Sequence, residues 1–388
     1  MPLLAFKNLL PYDCFMVDRA SHAERRRTFL YENHITADAR MGPFGGFLMP
    51  IQYEGIIREH HSTRESATIF DTCHMGEFRI EGDDAVSDLE RIITCHIASI
   101  ALGQCRYGLM CNEKGGVIDD LLIYRLSDKA FMIVVNAATQ DDDFAWIESH
   151  ISPSTRLENQ SAATAKLDLQ GPDSPRIMQE LMERSIDALN YYRFMDNKYA
   201  DDTVLVSRTG YTGEMGFELY CDSETAIRFW DDCLELGVLP AGLGARDTLR
   251  LEMGFPLYGH ELTLDRNAAE AGFTKHVVTD RVFIGSEILG DHSLRTESLV
   301  GIVFEDRRAA RAGDTVIDES DSVVGTVTSG SFAPSLGRAV AMSYVSSSLA
   351  QENHVVRVRT AREVLLGTVV RPPFYKEATA RRRVADFL

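Results

Sequence analysis

Alternation of apolar and polar positions is clearest between Tyr107 and Leu126. YGLMCN (Tyr107–Asn112) and VIDDLLIYRL (Val117–Leu126) flank a segment whose Gly115 and Gly116 can take the positive φ of a tight reversal. The stretch therefore predicts a β-hairpin. In its second strand Val117, Asp119, Leu121 and Ile123 share one face, while Ile118, Asp120, Leu122 and Tyr124 share the other. Each apolar face carries one carboxylate, which is costly to desolvate unless it meets a specific hydrogen-bonding partner.

The same reading extends along the chain. A polar helix is expected over 17–33, a Gly/Pro-punctuated apolar loop over Ala39–Tyr53, and a helix over Glu54–Phe70. A strand follows at Phe78–Ile80, then a helix with Val86, Leu89, Ile92 and Ile93 on its apolar face. Beyond the hairpin, FMIVVN (Phe131–Asn136) reads as a buried strand and Thr139–His150 as a helix. A second set runs from about Lys166 to Leu251: strands at KLDLQGP, TVLVSRTG and FELYC, and helices at DSPRIMQELMER, SETAIRFWDDCLELG and ARDTLRLEMG. After about Ser298 the pattern becomes short β-branched runs separated by Gly, Ser and Asp, which predicts a separate β-barrel or sandwich. The fold class is α+β, with the β-rich region starting near residue 295.

Composition narrows the function. At 388 residues the chain holds two or three domains. A net charge of −18 argues against nucleic-acid binding. The basic residues Lys376 and Arg381–Arg383 read as a solvated end. Seven cysteines lie at positions 14, 73, 95, 105, 111, 221 and 233 without any CxxC pair, which supports neither a disulfide framework nor a zinc site. No apolar run spans a membrane and no leader pattern opens the chain, so a cytoplasmic location is expected, with no membrane partner.

Two further stretches carry chemistry. In RTGYTGEMGFELY (Arg208–Tyr220) Gly210, Gly213 and Gly216 would let the backbone approach a flat ligand. Glu218, an acid in apolar company, can accept two parallel N–H bonds from an aminopyrimidinone edge or pair with a structural Arg. Tyr211 can pack on a ring or fill the turn. In GLGARDTLRLEMG, Arg246 suits a ligand carboxylate and Arg250 a structural ion pair. His60, His61 and His74 are possible acid–base groups, but no nucleophile–base pair accompanies them.

Together with HSTRESATIFDTCHMGEFRIEG, NEKGGVIDDLLIY, LDLQGP and VTSGSFAPSLGRAVAMSYV, these stretches resemble the aminomethyltransferase family, the T-protein of the glycine cleavage system. The matches run in family order from about residue 37 to Lys376. The resemblance implies a three-domain cloverleaf: an atypical extension over 1–36, a folate-binding core of two interleaved mixed α/β antiparallel-sheet domains over 37–294, and a β-barrel or jelly-roll-like domain over 295–388. It implies transfer of an aminomethyl-derived carbon from a lipoyl H-protein to tetrahydrofolate as co-substrate, releasing ammonia, with no metal. The family's key acid falls on Asp119, leaving Asp120 structural. Glu218 falls where the family grips the pterin edge and Arg246 where it holds folate; Met75, Tyr107, Asn136, Tyr211 and Tyr375 match other pocket positions. Departures from the family pattern at Phe47, Cys73, Cys95-His96, Met215 and Thr274-Lys275-His276 touch the rim and bear on the donor. A folate-dependent demethylase or methyltransferase using a small amine or sulfonium donor is the alternative. A folate-binding iron–sulfur assembly protein is disfavoured, because DRVFIGSEIL puts Val282 where that group has a cysteine.

Overall fold

The computed structural model describes residues 25–388. Three sheet systems follow from the patterns above. The first sheet has five antiparallel strands in the order Cys105–Cys111, Val117–Arg125, Ala130–Val135, Gly76–Gly82, Thr155–Asn159. Helices Ala85–Ile92 and Gln140–His150 cover one face, burying Leu89, Ile92, Leu121, Ile123, Ile133 and Ile147 in a common core.

The second sheet has six strands in the order Phe194–Tyr199, Asp202–Ser207, Gly216–Cys221, Ala165–Gln170, Thr68–Asp71, Leu239–Pro240. Thr68–Asp71 precedes the whole first sheet in sequence, and the other five strands follow it, so the two units interleave. Trp230, Phe229, Phe217 and Leu167 fill its core beneath helices Ser174–Leu181 and Ser223–Glu235. Asp222 caps the latter by accepting from the amides of Glu224 and Thr225 at 2.9 and 3.0 Å.

The β-branched runs after Ser298 close into a six-stranded antiparallel barrel, Glu297–Phe304 to Val364–Val370, around Ile302, Val316, Val327, Ala341 and Val358. The helix Leu243–Met253, ended by Gly254 in the left-handed region (φ 66°), joins barrel to core. Its Leu251 packs with Val340, Met342 and Phe374, and Arg250 donates to Ser329 Oγ at 2.8 Å.

Three expectations need correction. Ala39–Tyr53 is not a loop: Arg40–Phe44 and Phe47–Gln52 form a hairpin reversing at Gly45–Gly46. Its prolines, which suggested a loop, sit in a small three-stranded sheet. The helix expected over 17–33 lies partly outside the described residues; within them Arg26–Arg27 is a strand, and the helix is Tyr31–Thr36. The helix read over Glu54–Phe70 spans Ile56–Glu65 and gives way to the strand Thr68–Asp71, whose side chains are all buried.

The tail's basic residues Lys376 and Arg381–Arg383 are exposed, as expected, but the segment that carries them is docked on the core. Val384 joins the core of the second sheet with Phe387 packed against it, and Arg208 donates to the carbonyls of Ala380 and Arg382.

Candidate functional site

A cavity of about 1030 Å³ opens where the two sheets, the Leu243–Met253 helix and the tail converge. A volume of that order suits a large organic ligand. The hairpin supplies one wall. Gly115 takes φ 77°, whereas Gly116 is needed for space, since a Cβ there would lie 1.7 Å from the Leu264 carbonyl oxygen. Asn112 Oδ1 accepts from the Lys114 and Gly116 amides at 2.9 and 3.0 Å and fixes the reversal.

The paired acids behave differently, in the opposite sense to the expectation. Asp119 shares its face with Leu121 and Ile123, which the helices cover, so its side chain is turned away from the cavity and fully buried. There it accepts from the backbone N and Nδ2 of Asn136 at 2.9 and 2.8 Å. Asp120 lines the cavity, accepting from Tyr107 Oη at 3.0 Å and Asn136 Nδ2 at 2.9 Å. Register had carried this information: Tyr107 pairs with Leu122, hence lies on the face of Asp120. Burial, then the charge of Asp119, pushes the Asp120 carboxyl up to about 7, against the opposing hydrogen bonds of Tyr107 and Asn136.

The seven other expected residues, Met75, Tyr107, Asn136, Tyr211, Glu218, Arg246 and Tyr375, all line this cavity. Glu218 is tied by protein donors: Lys166 Nζ to Oε1 at 2.8 Å, and Thr209, Tyr220 and Tyr124 hydroxyls to Oε2 at 2.6, 3.1 and 3.2 Å. Its cationic partner is thus a lysine, not an arginine. Arg246, in the first turn of its helix, pairs with Asp168 Oδ2 at 2.5 Å and lies over the Tyr211 ring at 5.0 Å. Tyr211 stacks on Phe255 with centroids 5.8 Å apart and donates to the Pro256 carbonyl. Arg250 pairs with Asp247 and Glu261 at 2.8 and 3.0 Å, the structural role expected of it.

The glycine loop serves packing as well as access. A Cβ on Gly210 or Gly216 would come within 2.2 or 2.5 Å of the Gln170 amide, which itself accepts from Thr212 and donates to the Thr209 carbonyl. Of the histidines, His60 is held between Thr248 and Ser335 hydroxyls, both at 2.9 Å. His74 lines the cavity, and burial lowers it to about 3, so it is neutral. Among the described residues no cluster of three or more His, Cys, Asp or Glu could hold a metal, and no helix is long and apolar enough to cross a membrane.

Sequence reasoning missed Lys166, Tyr192, Tyr258 and Arg381 in the lining, while His276, expected at the rim, does line the cavity. Lys166 had a signal: Lys166, Asp168 and Gln170 alternate with Leu167 and Leu169, and all five are buried. A polar face that water does not reach must face polar company inside the protein.

Acid pH should test that cluster. Burial alone would raise Asp168, but Lys166 and Arg246 overcome it and hold the carboxyl at about 2, below its ordinary 3.8. A depressed carboxylate stabilises the fold above its unfolded value, and that stability is lost as pH falls through the folded value. Urea unfolding between pH 4 and 2 should show the wild type losing roughly 2 kcal/mol more than Asp168→Asn. Equal losses would remove Asp168 from the acid response.

Comparison with known proteins fits this architecture. The description GCVT N-terminal domain matches residues 30–281, and glycine cleavage T-protein C-terminal barrel domain matches 298–376. The chain belongs to the aminomethyltransferase family. It is 41% identical to an aminomethyltransferase of Desulforamulus reducens over 91% of this chain and 99% of the relative. It is 38% identical to one of Halothermothrix orenii over 90% and 99%. The crystal structure of glycine cleavage system aminomethyltransferase T from Bartonella henselae superposes with a TM-score of 0.86 at 31% identity, covering 92% of this chain and 99% of that one. An aminomethyltransferase is a one-carbon transferase, and the interleaved sheets with a closed barrel are the shared fold of this chain and that structure.

Proposed function

We propose that this aminomethyltransferase acts in glycine cleavage, moving the one-carbon unit of aminomethyl-lipoyl H-protein to tetrahydrofolate. The carbon–sulfur bond to the lipoyl arm and the carbon–nitrogen bond of the aminomethyl group break. Two bonds form from that carbon to folate nitrogens, giving methylenetetrahydrofolate, dihydrolipoyl thiol and ammonia. The observation that carries the reading is Asp120, an acid facing the cavity with each carboxylate oxygen fixed by a donor, from Asn136 and Tyr107. With its carboxyl near 7, Asp120 can hold a folate N–H in place and take up its proton as the nitrogen attacks. Glu218 has room on Oε1 for a further donor from the pterin edge, and Arg246 with Tyr211 offers charge and a ring face to the remainder.

Purified protein given aminomethylated H-protein and tetrahydrofolate should release ammonia and methylenetetrahydrofolate in equal amounts. Absence of both, with methyltetrahydrofolate formed from a small amine or sulfonium donor, would replace this reading by the demethylase one.

A further inference from the structure

Lys166 stands where a lysine is expensive: its side chain is 1% exposed, in the strand Ala165–Gln170 that forms part of the cavity wall. Desolvating an ammonium costs several kcal/mol unless opposite charge meets it. Here Glu218 Oε1 lies 2.8 Å and Asp168 Oδ1 3.0 Å from Nζ, and Asp168 in turn reaches Arg246. The four groups alternate in sign and sum to zero charge. Burial works against the ammonium, but Asp168 and Glu218 more than compensate and keep it charged.

An ammonium has three protons and no lone pair. Two are matched by the carboxylates. The third has only long contacts, Thr72 Oγ1 at 3.4 Å and Met75 Sδ at 3.7 Å. Thr72 Oγ1 donates to the Lys166 carbonyl and Asp168 at 3.1 Å, which holds it at this distance from Nζ. Met75, like Lys166, lines the cavity. A donor left without a good acceptor in a dry wall is a place for an acceptor brought by the ligand.

We propose that Lys166 is a specificity residue that, beside Glu218, reads the lactam edge of the ligand's ring. Glu218 presents an acceptor and Lys166 a donor, side by side. The complementary edge has an N–H next to a C=O, as the 2-amino-4-oxo pterin does at N3 and C4, with the amino group also available to Glu218. This rests on the folate reading above and adds what selects the substituent at C4 of the ring: a 4-amino ring would set a donor against the ammonium. The competing account is that Lys166 serves only as counter-ion to its two carboxylates.

The two accounts separate by calorimetry with 5-formyltetrahydrofolate and its 4-amino-4-deoxy counterpart. Lys166→Met is one variant. Lys166→Met with Asp168→Asn is the second, which removes one charge of each sign and keeps the wall neutral should the single change unfold the chain. The wild type should bind the 4-oxo compound about tenfold tighter or more, the worth of one well-made hydrogen bond to a charged donor. Either folded variant should cut the ratio about tenfold, by loss on the 4-oxo side alone, any preference that remains coming from the N3–H that Glu218 reads. A ratio unchanged in the variants, or equal loss for both compounds, would leave Lys166 a counter-ion and overturn the proposal. If the wild type binds neither compound, the folate reading fails first and takes this one with it.

Discussion

Asp120→Asn should lower the rate of methylenetetrahydrofolate formation by at least about a hundredfold in single turnover. Folate affinity should change little, because asparagine keeps the shape and one acceptor. Melting temperature should hold or rise, since a carboxyl that burial drives up to about 7 gives way to a neutral group. The wild-type rate should climb as pH rises through about 7, where Asp120 becomes ionised, and that limb should vanish in the variant. Asp119→Asn provides the contrast. Its side chain lies under the helix-covered face against Asn136, so the effect should fall on stability, about 1–3 kcal/mol, with less than about a tenfold change in rate. A silent Asp120→Asn beside a dead Asp119→Asn would reverse the assignment.

Arg64→Ala should be the most destabilising single truncation near the site, at about 3–5 kcal/mol by urea unfolding. The Arg64 guanidinium is buried and donates to Glu214 Oε1 and the Thr212 carbonyl, both at 2.7 Å, and to Glu252 Oε2 at 2.9 Å. It also lies 4.2 Å over the Tyr375 ring. Glu252 in turn accepts from the Ser335 amide of the barrel at 2.9 Å, while its carbonyl takes the Phe374 and Tyr375 amides. One side chain thus links helix Ile56–Glu65, the glycine loop, helix Leu243–Met253, the barrel and the tail. Removing it takes the guanidinium's charge from two interior carboxylates, whereas adding Glu214→Gln should recover part of the loss. A cost under about 1 kcal/mol would show the linkage to be held elsewhere.

Local patterns carried far where one face met the core and one residue type marked the turn. The hairpin, the apolar helices and the barrel strands were legible for that reason. Asp119 and Asp120 were separable by alternation alone, but choosing between them required knowing which face the helices Ala85–Ile92 and Gln140–His150 cover. Tyr107, already matched to the pocket and in register with Leu122, could have decided it. Ala39–Tyr53 misled because Pro43 and Pro50 suggest a loop, although in a small sheet a strand can give up ladder donors. Lys166 stayed hidden because a polar face on a strand ordinarily means water. Only the packing of the second sheet against a cavity made that face interior.

The position of the tail bears on how the protein is made. Tyr375, Lys376 and Arg381 complete the cavity wall, Thr379 bonds Glu214 and the Met215 amide, and Val384 closes the second core. All of them are synthesised after the barrel. Both sheets can therefore be in place on a growing chain while its binding site still lacks a side. Ligand can then reward the docking of the tail that closes its site.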